Sequence, residues 1–137
     1  MKRASTLGVF FLFALGCAIA EERQALVAPL PEDSVPQPYV KLLRRARAQA
    51  LAVTDALYVD DWDEADAAAK GLEQTARFLN KATEVPAKQK DNLPVISGDL
   101  GKEAGALRDL VKAHDSKKAD EVMQRINLKI RELKPEN

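Results

Sequence analysis

The chain reads as all-α, an antiparallel up-down-up-down four-helix bundle preceded by an export signal and a proline-rich tether. Three observations lead there. Apolar residues recur at three-and-four spacing over four helix-length stretches, while no run alternates apolar and polar residues long enough to make a strand. Alanine is abundant, and proline and glycine number only 7 and 6 in 137 residues. The links between the stretches are short, so consecutive helices must turn back on one another. A chain of this length supports one domain with a modest core.

Residues 1–20 open with Lys2 and Arg3, continue through an apolar stretch from Leu7 to Ala20 that holds Phe10, Phe11 and Phe13, and meet Glu21-Glu22. An apolar run this short followed by acids is a poor membrane span and has the form of a signal peptide. Two processing sites overlap in it. Ala18-Ile19-Ala20 before Glu21 suits ordinary signal peptidase, whereas Ala14-Leu15-Gly16-Cys17 resembles a bacterial lipobox and makes Cys17 the candidate lipidation site, with the leader then ending at residue 16. Cut at Ala20, the mature chain has no cysteine and forms no disulfide; cut before Cys17, the thiol carries lipid. Either route leads to an exported protein, periplasmic or secreted, held at a membrane only through such an anchor.

Residues 21–38 carry prolines at 29, 31, 36 and 38 and read as an extended, mobile tether. The bundle occupies residues 39–134. Its first helix spans 39–58, with Leu43, Ala46, Ala50, Val53 and Leu57 on one face and a basic cluster of Lys41, Arg44, Arg45 and Arg47 that reads as a solvated face. The second spans 62–81 and buries Ala65, Ala68, Leu72, Ala76 and Leu79, with Trp62 as a lid on the bundle end.

Five carboxylates crowd residues 60–66, at Asp60, Asp61, Asp63, Glu64 and Asp66. A calcium loop needs ligands at alternate positions around a turn-forming glycine, and Ala65 stands where the third ligand belongs. Acids at a helix start instead cap free N–H groups and complement the macrodipole, so no metal is expected.

The third helix begins near Asn92, a candidate cap, with Pro94 tolerated in its first turn. Leu93, Ile96, Leu100, Ala104, Leu107, Val111 and His114 share its apolar stripe. Beside that stripe run Gly98, Gly101 and Gly105, each costing about 1 kcal/mol relative to alanine inside a helix. Three such glycines form a candidate partner groove, open to a neighbouring helix or to a partner's backbone. The fourth helix is capped at Asp115 or Ser116, stops at Lys134-Pro135, and places Ala119, Val122, Ile126, Ile130 and Leu133 on one face.

Val111-Lys112-Ala113-His114-Asp115, followed by an amphipathic helix ending Ile126-Asn127-Leu128-Lys129-Ile130-Arg131-Glu132-Leu133, resembles the last two helices of the cytochrome c-prime and soluble b-type cytochrome superfamily. The resemblance spans residues 39–133 as a pattern and implies an exported four-helix bundle. Its haem function does not carry over. The C-x-x-C-H motif is absent, with Ile130, Leu133 and Lys134 near its place. The b-type methionine on the first helix and histidine on the last are missing as well. His114 with Met123 is the one pairing that a haem could use.

The 21 basic and 21 acidic residues balance, so no nucleic-acid partner is indicated. Nothing pairs the single histidine with a nucleophile, and no phosphate loop follows a strand. The expectation is a non-enzymatic envelope protein without a cofactor that binds or stabilises an unknown protein partner. The alternative is a haem- or metal-binding electron-transfer protein of the cytochrome bundle type.

Overall fold

A computed structural model describes residues 14–134, and side chains from Ile19 onward. The opening of the expected export signal, residues 1–13, lies outside the described residues, as does the side chain of Cys17. The protein is all-α. Helix α1 runs Ala14–Val27, α2 Tyr39–Tyr58, α3 Trp62–Leu79, α4 Leu93–Lys112 and α5 Ser116–Glu132, with a single 3-10 turn at Ala87–Gln89. Among the described residues the nearest approach to sheet is an isolated bridge between Pro38 and Thr83.

The helices α2 to α5 form where three-and-four periodicity places apolar side chains, and each buries that stripe. Ala46, Ala50 and Val53 of α2 meet Ala65, Ala68, Leu72 and Ala76 of α3, and Leu100, Ala104 and Leu107 of α4 meet Val122, Ile126 and Ile130 of α5 in one continuous core. Small alanines on α2 and α3 let those helices approach closely.

Ion pairs join neighbouring helices. Asp66 and Glu73 of α3 meet Arg108 of α4, while Glu103 and Asp99 of α4 meet Arg125 and Lys129 of α5. The ends of the array are joined by the Tyr39 hydroxyl, which donates to the Leu133 carbonyl. Tyr39 is fully buried, and burial raises the pKa of its phenol against the lowering effect of the Arg47 charge.

The hairpins α2–α3 and α4–α5 share one plan. Their first helices begin at Tyr39 and Leu93 and end at Tyr58 and Lys112, a constant shift of 54 residues (93 − 39 and 112 − 58). Their turns match in detail. Asp60 and His114 both have left-handed backbone, φ 56° and 54°. The next residues, Asp61 and Asp115, cap α3 and α5 by accepting from the N–H groups of Glu64 and Lys118, both at 3.1 Å. Each capping aspartate also donates its own N–H back into the preceding helix, to the carbonyls of Ala56 (2.9 Å) and Leu110 (3.0 Å). Those bonds close the helix end much as a Schellman motif does.

Three details depart from the sequence-based expectations. Asn92 stands at the start of α4 but its side chain makes no capping bond. His114 does not complete the apolar stripe of α4: the helix ends at Lys112, and the left-handed turn at His114 swings the ring off that face. The expected tether is extended only from Pro29 onward. Residues 21–27 are the last two turns of α1, because Glu, Arg, Gln, Ala and Leu are strong helix formers and no proline intervenes before position 29. The Pro29–Pro38 stretch does not swing free, since Leu30 packs on the core and Gln37 and Tyr39 bond to Thr83 at 3.0 and 2.8 Å.

Candidate functional site

The α3–α4 face carries the glycine stripe. Gly98, Gly101 and Gly105 line an open groove of about 700 Å³ together with Ala76, Arg77 and Lys102. A methyl group at Gly98 would meet nothing within 4 Å; at Gly101 it would stand 3.6 Å from the Ala76 methyl, and at Gly105 3.9 Å from a Glu73 carboxylate oxygen. Those are ordinary contacts or empty space. Packing of α3 against α4 therefore does not require glycine at any of the three positions, and their effect is to keep the groove open.

A clamp that the sequence reading missed sets the charge at one end of this groove. Arg108 of α4 donates from Nε to Asp66 (3.0 Å) and from Nη1 to Glu73 (3.1 Å), all three side chains being partly buried. Hydrogen bonding to Asp66 raises the arginine pKa, with Glu73 adding to it. The clamp joins two helices through charge-assisted bonds, and its sequence signal is faint: Asp66 and Glu73 lie seven residues apart on one helical face.

At the turn end, the Trp62 ring stacks on His114 with centroids 4.6 Å apart and planes 9° from parallel. The second aromatic that a stacking role needs comes from the other hairpin, out of reach of local reading. His114 is exposed while Met123 is buried in the core, so the pair named for haem ligation faces different surroundings. Ile130 and Leu133 are likewise buried core residues. The acidic run is divided among separate tasks: Asp60 forms the turn, Asp61 caps α3 and Asp66 joins the clamp. Among the described residues, no group of three or more His, Cys, Asp or Glu side chains stands where it could hold a metal ion.

The basic cluster on α2 is put to use in a way its composition does not reveal. Arg44 pairs with Glu22 at 2.6 Å, and Arg45 donates to the carbonyls of Leu26 (3.2 Å) and Ala28 (2.6 Å) at the end of α1. Beside it Gln49, fully buried, donates to the Val27 carbonyl (3.3 Å) and accepts from the Thr75 hydroxyl (2.8 Å). A polar residue inside the Ala46, Ala50, Val53 stripe is the signal that would have found this site, since buried amides are almost always satisfied.

Among the described residues, no helix is long and apolar enough to cross a membrane. Comparison with protein-family models, with curated proteins and with solved structures gives no match.

Proposed function

We propose that the protein is an exported, non-enzymatic four-helix-bundle protein of the cell envelope that acts as a cofactor-free binding or accessory subunit. In this reading residues 39–134 are the antiparallel bundle, the leader is removed before Glu21 or before Cys17, and a protein partner docks along Gly98, Gly101 and Gly105. The observation that supports it is the room above those glycines, where an added methyl group would meet nothing at Gly98 and only ordinary contacts at Gly101 and Gly105. Each lowers helix stability by about 1 kcal/mol relative to alanine, and none is needed for packing within the chain. Retention of three destabilising residues along an open groove fits a surface where another backbone approaches.

Replacing Gly98, Gly101 and Gly105 together by alanine should stabilise the isolated protein by about 2–3 kcal/mol, read by urea unfolding. The same variant should lose the partner that co-purifies with the wild-type protein from envelope extracts. A variant that gains stability and keeps every partner would remove the groove from consideration. A visible spectrum and metal analysis of the purified protein separate this reading from the cytochrome-like alternative. The spectrum should be featureless, and stoichiometric haem with a Soret band would overturn the proposal.

A further inference from the structure

The end of α1 is held by its main chain. A helix terminus leaves its last carbonyl oxygens without intrahelical partners, and those of Leu26, Val27 and Ala28 accept from Arg45 and Gln49 at 2.6–3.3 Å. One of the donors is pre-positioned. Gln49 is fully buried with its oxygen committed to Thr75, which leaves its amide N–H groups aimed at α1.

The floor is Gly71 of α3. A methyl group there would lie 2.7 Å from Gln49 Nε2 and 2.9 Å from the Val27 carbonyl oxygen, both inside contact distance. This is the close backbone approach that glycine permits. Side chains of the bound segment add less: Val27 is half-buried, and the Arg23–Asp55 and Glu22–Arg44 pairs are exposed.

The counterpart of this place on the second hairpin is occupied differently. Shifted by 54, Gln49 becomes Glu103 and Gly71 becomes Arg125, and these two form an ion pair at 3.0 Å. The same hairpin plan thus closes one copy of the face with its own side chains and leaves the other cut to fit a helix end.

We infer that Arg45, Gln49 and Gly71 form a receptor for the carboxy-terminal turn of a helix, with residues 21–28 of this chain as its occupant. The occupant leaves and returns while α2 to α5 stay folded. The body is joined without it, through Tyr39 to Leu133 and through Gln37 to Thr83, and the connection back to α2 is the irregular stretch carrying four prolines.

Hydrogen exchange on the intact exported protein tests the separation. Amides of residues 24–28 should exchange at least about tenfold faster than those of α3 and α4, by an opening insensitive to low urea. Gly71→Ala should speed the strap a further tenfold or so and leave the helices of the body within about twofold. A second measurement uses Leu26→Pro, which breaks the last turn of α1, and a labelled synthetic peptide of residues 19–31. The peptide should bind the Leu26→Pro chain at least about tenfold tighter than the chain carrying Leu26→Pro and Gly71→Ala together. Peptide binding that ignores Gly71, absence of binding to a folded Leu26→Pro chain, exchange of the strap only through global unfolding, or collapse of the helices in Leu26→Pro would each overturn the inference.

Discussion

The α2–α3 and α4–α5 hairpins have first helices of equal length, second helices of 18 and 17 residues, and matching turns and caps, yet they finish their outer faces by different physics. On the first, Gln49, Gly71 and Thr75 sit beneath the end of α1, and two of the three are polar groups fully out of water. On the second, the corresponding Glu103, Arg125 and Lys129 are charged, partly exposed and paired, Glu103 with Arg125 and Lys129 with Asp99. Leu128, the counterpart of Gln74, stays half in solvent, while Gln74 is buried with its carbonyl oxygen unpartnered. An identical backbone plan therefore tolerates either a docked segment or a self-contained charged surface, and a few side chains choose between them.

The largest test of that equivalence lies in the core. Leu72 and Ile126 occupy matching, fully buried positions, so Leu72→Ala and Ile126→Ala should each cost about 2–5 kcal/mol in urea unfolding. A cost at one site several times that at the other would break the comparison. Next comes the polar pair that distinguishes the faces. Gln49→Ala strands the Thr75 hydroxyl and the Val27 carbonyl and should cost about 1–3 kcal/mol, whereas Glu103→Ala should leave the unfolding midpoint almost unmoved, as exposed ion pairs contribute little.

A further test concerns Tyr39, whose counterpart is Leu93. Burial makes the folded chain hold the phenol proton more tightly than the unfolded chain does. Stability from this group is therefore complete below the unfolded-state value of about 10 and declines as pH rises through the folded-state value. Tyr39→Phe should flatten the alkaline end of the pH–stability profile, measured by thermal melts between neutral and strongly alkaline pH, and lower stability at neutral pH by about 1 kcal/mol for the lost bond to Leu133.

Much of the body was legible from periodicity. Starts at Tyr39, Trp62 and Leu93 and the caps beneath Asp115 and Asp61 follow from local rules of helix spacing and termination, because those signals lie within a few residues of what they control. His114 was misplaced because a stripe continued by spacing alone takes no account of the left-handed turn that ends α4. The glycines show the deeper limit. Gly98, Gly101 and Gly105 drew notice as a stripe, yet the helical glycine with a main-chain oxygen pressed against it is Gly71, inconspicuous among alanines and lysine. What makes Gly71 special is a carbonyl 44 positions earlier in the chain (71 − 27), and no local pattern encodes such a partner. The strap was hidden for the same reason: four prolines announce a tether, while the donors that fasten its beginning stand on another helix.

Fastening residues 21–28 changes what an amino-terminal anchor would do. Were residues 21–38 free and extended, they would let the body range about 60 Å from a lipidated Cys17. With α1 helical up to a docked Val27, the reach from Cys17 to the body is about 15 Å. On the lipoprotein route the segment is thus a ruler while it is docked and a leash only when it leaves. It would hold the α2 side of the molecule against the bilayer surface and fix which faces a second protein approaching within the envelope can meet.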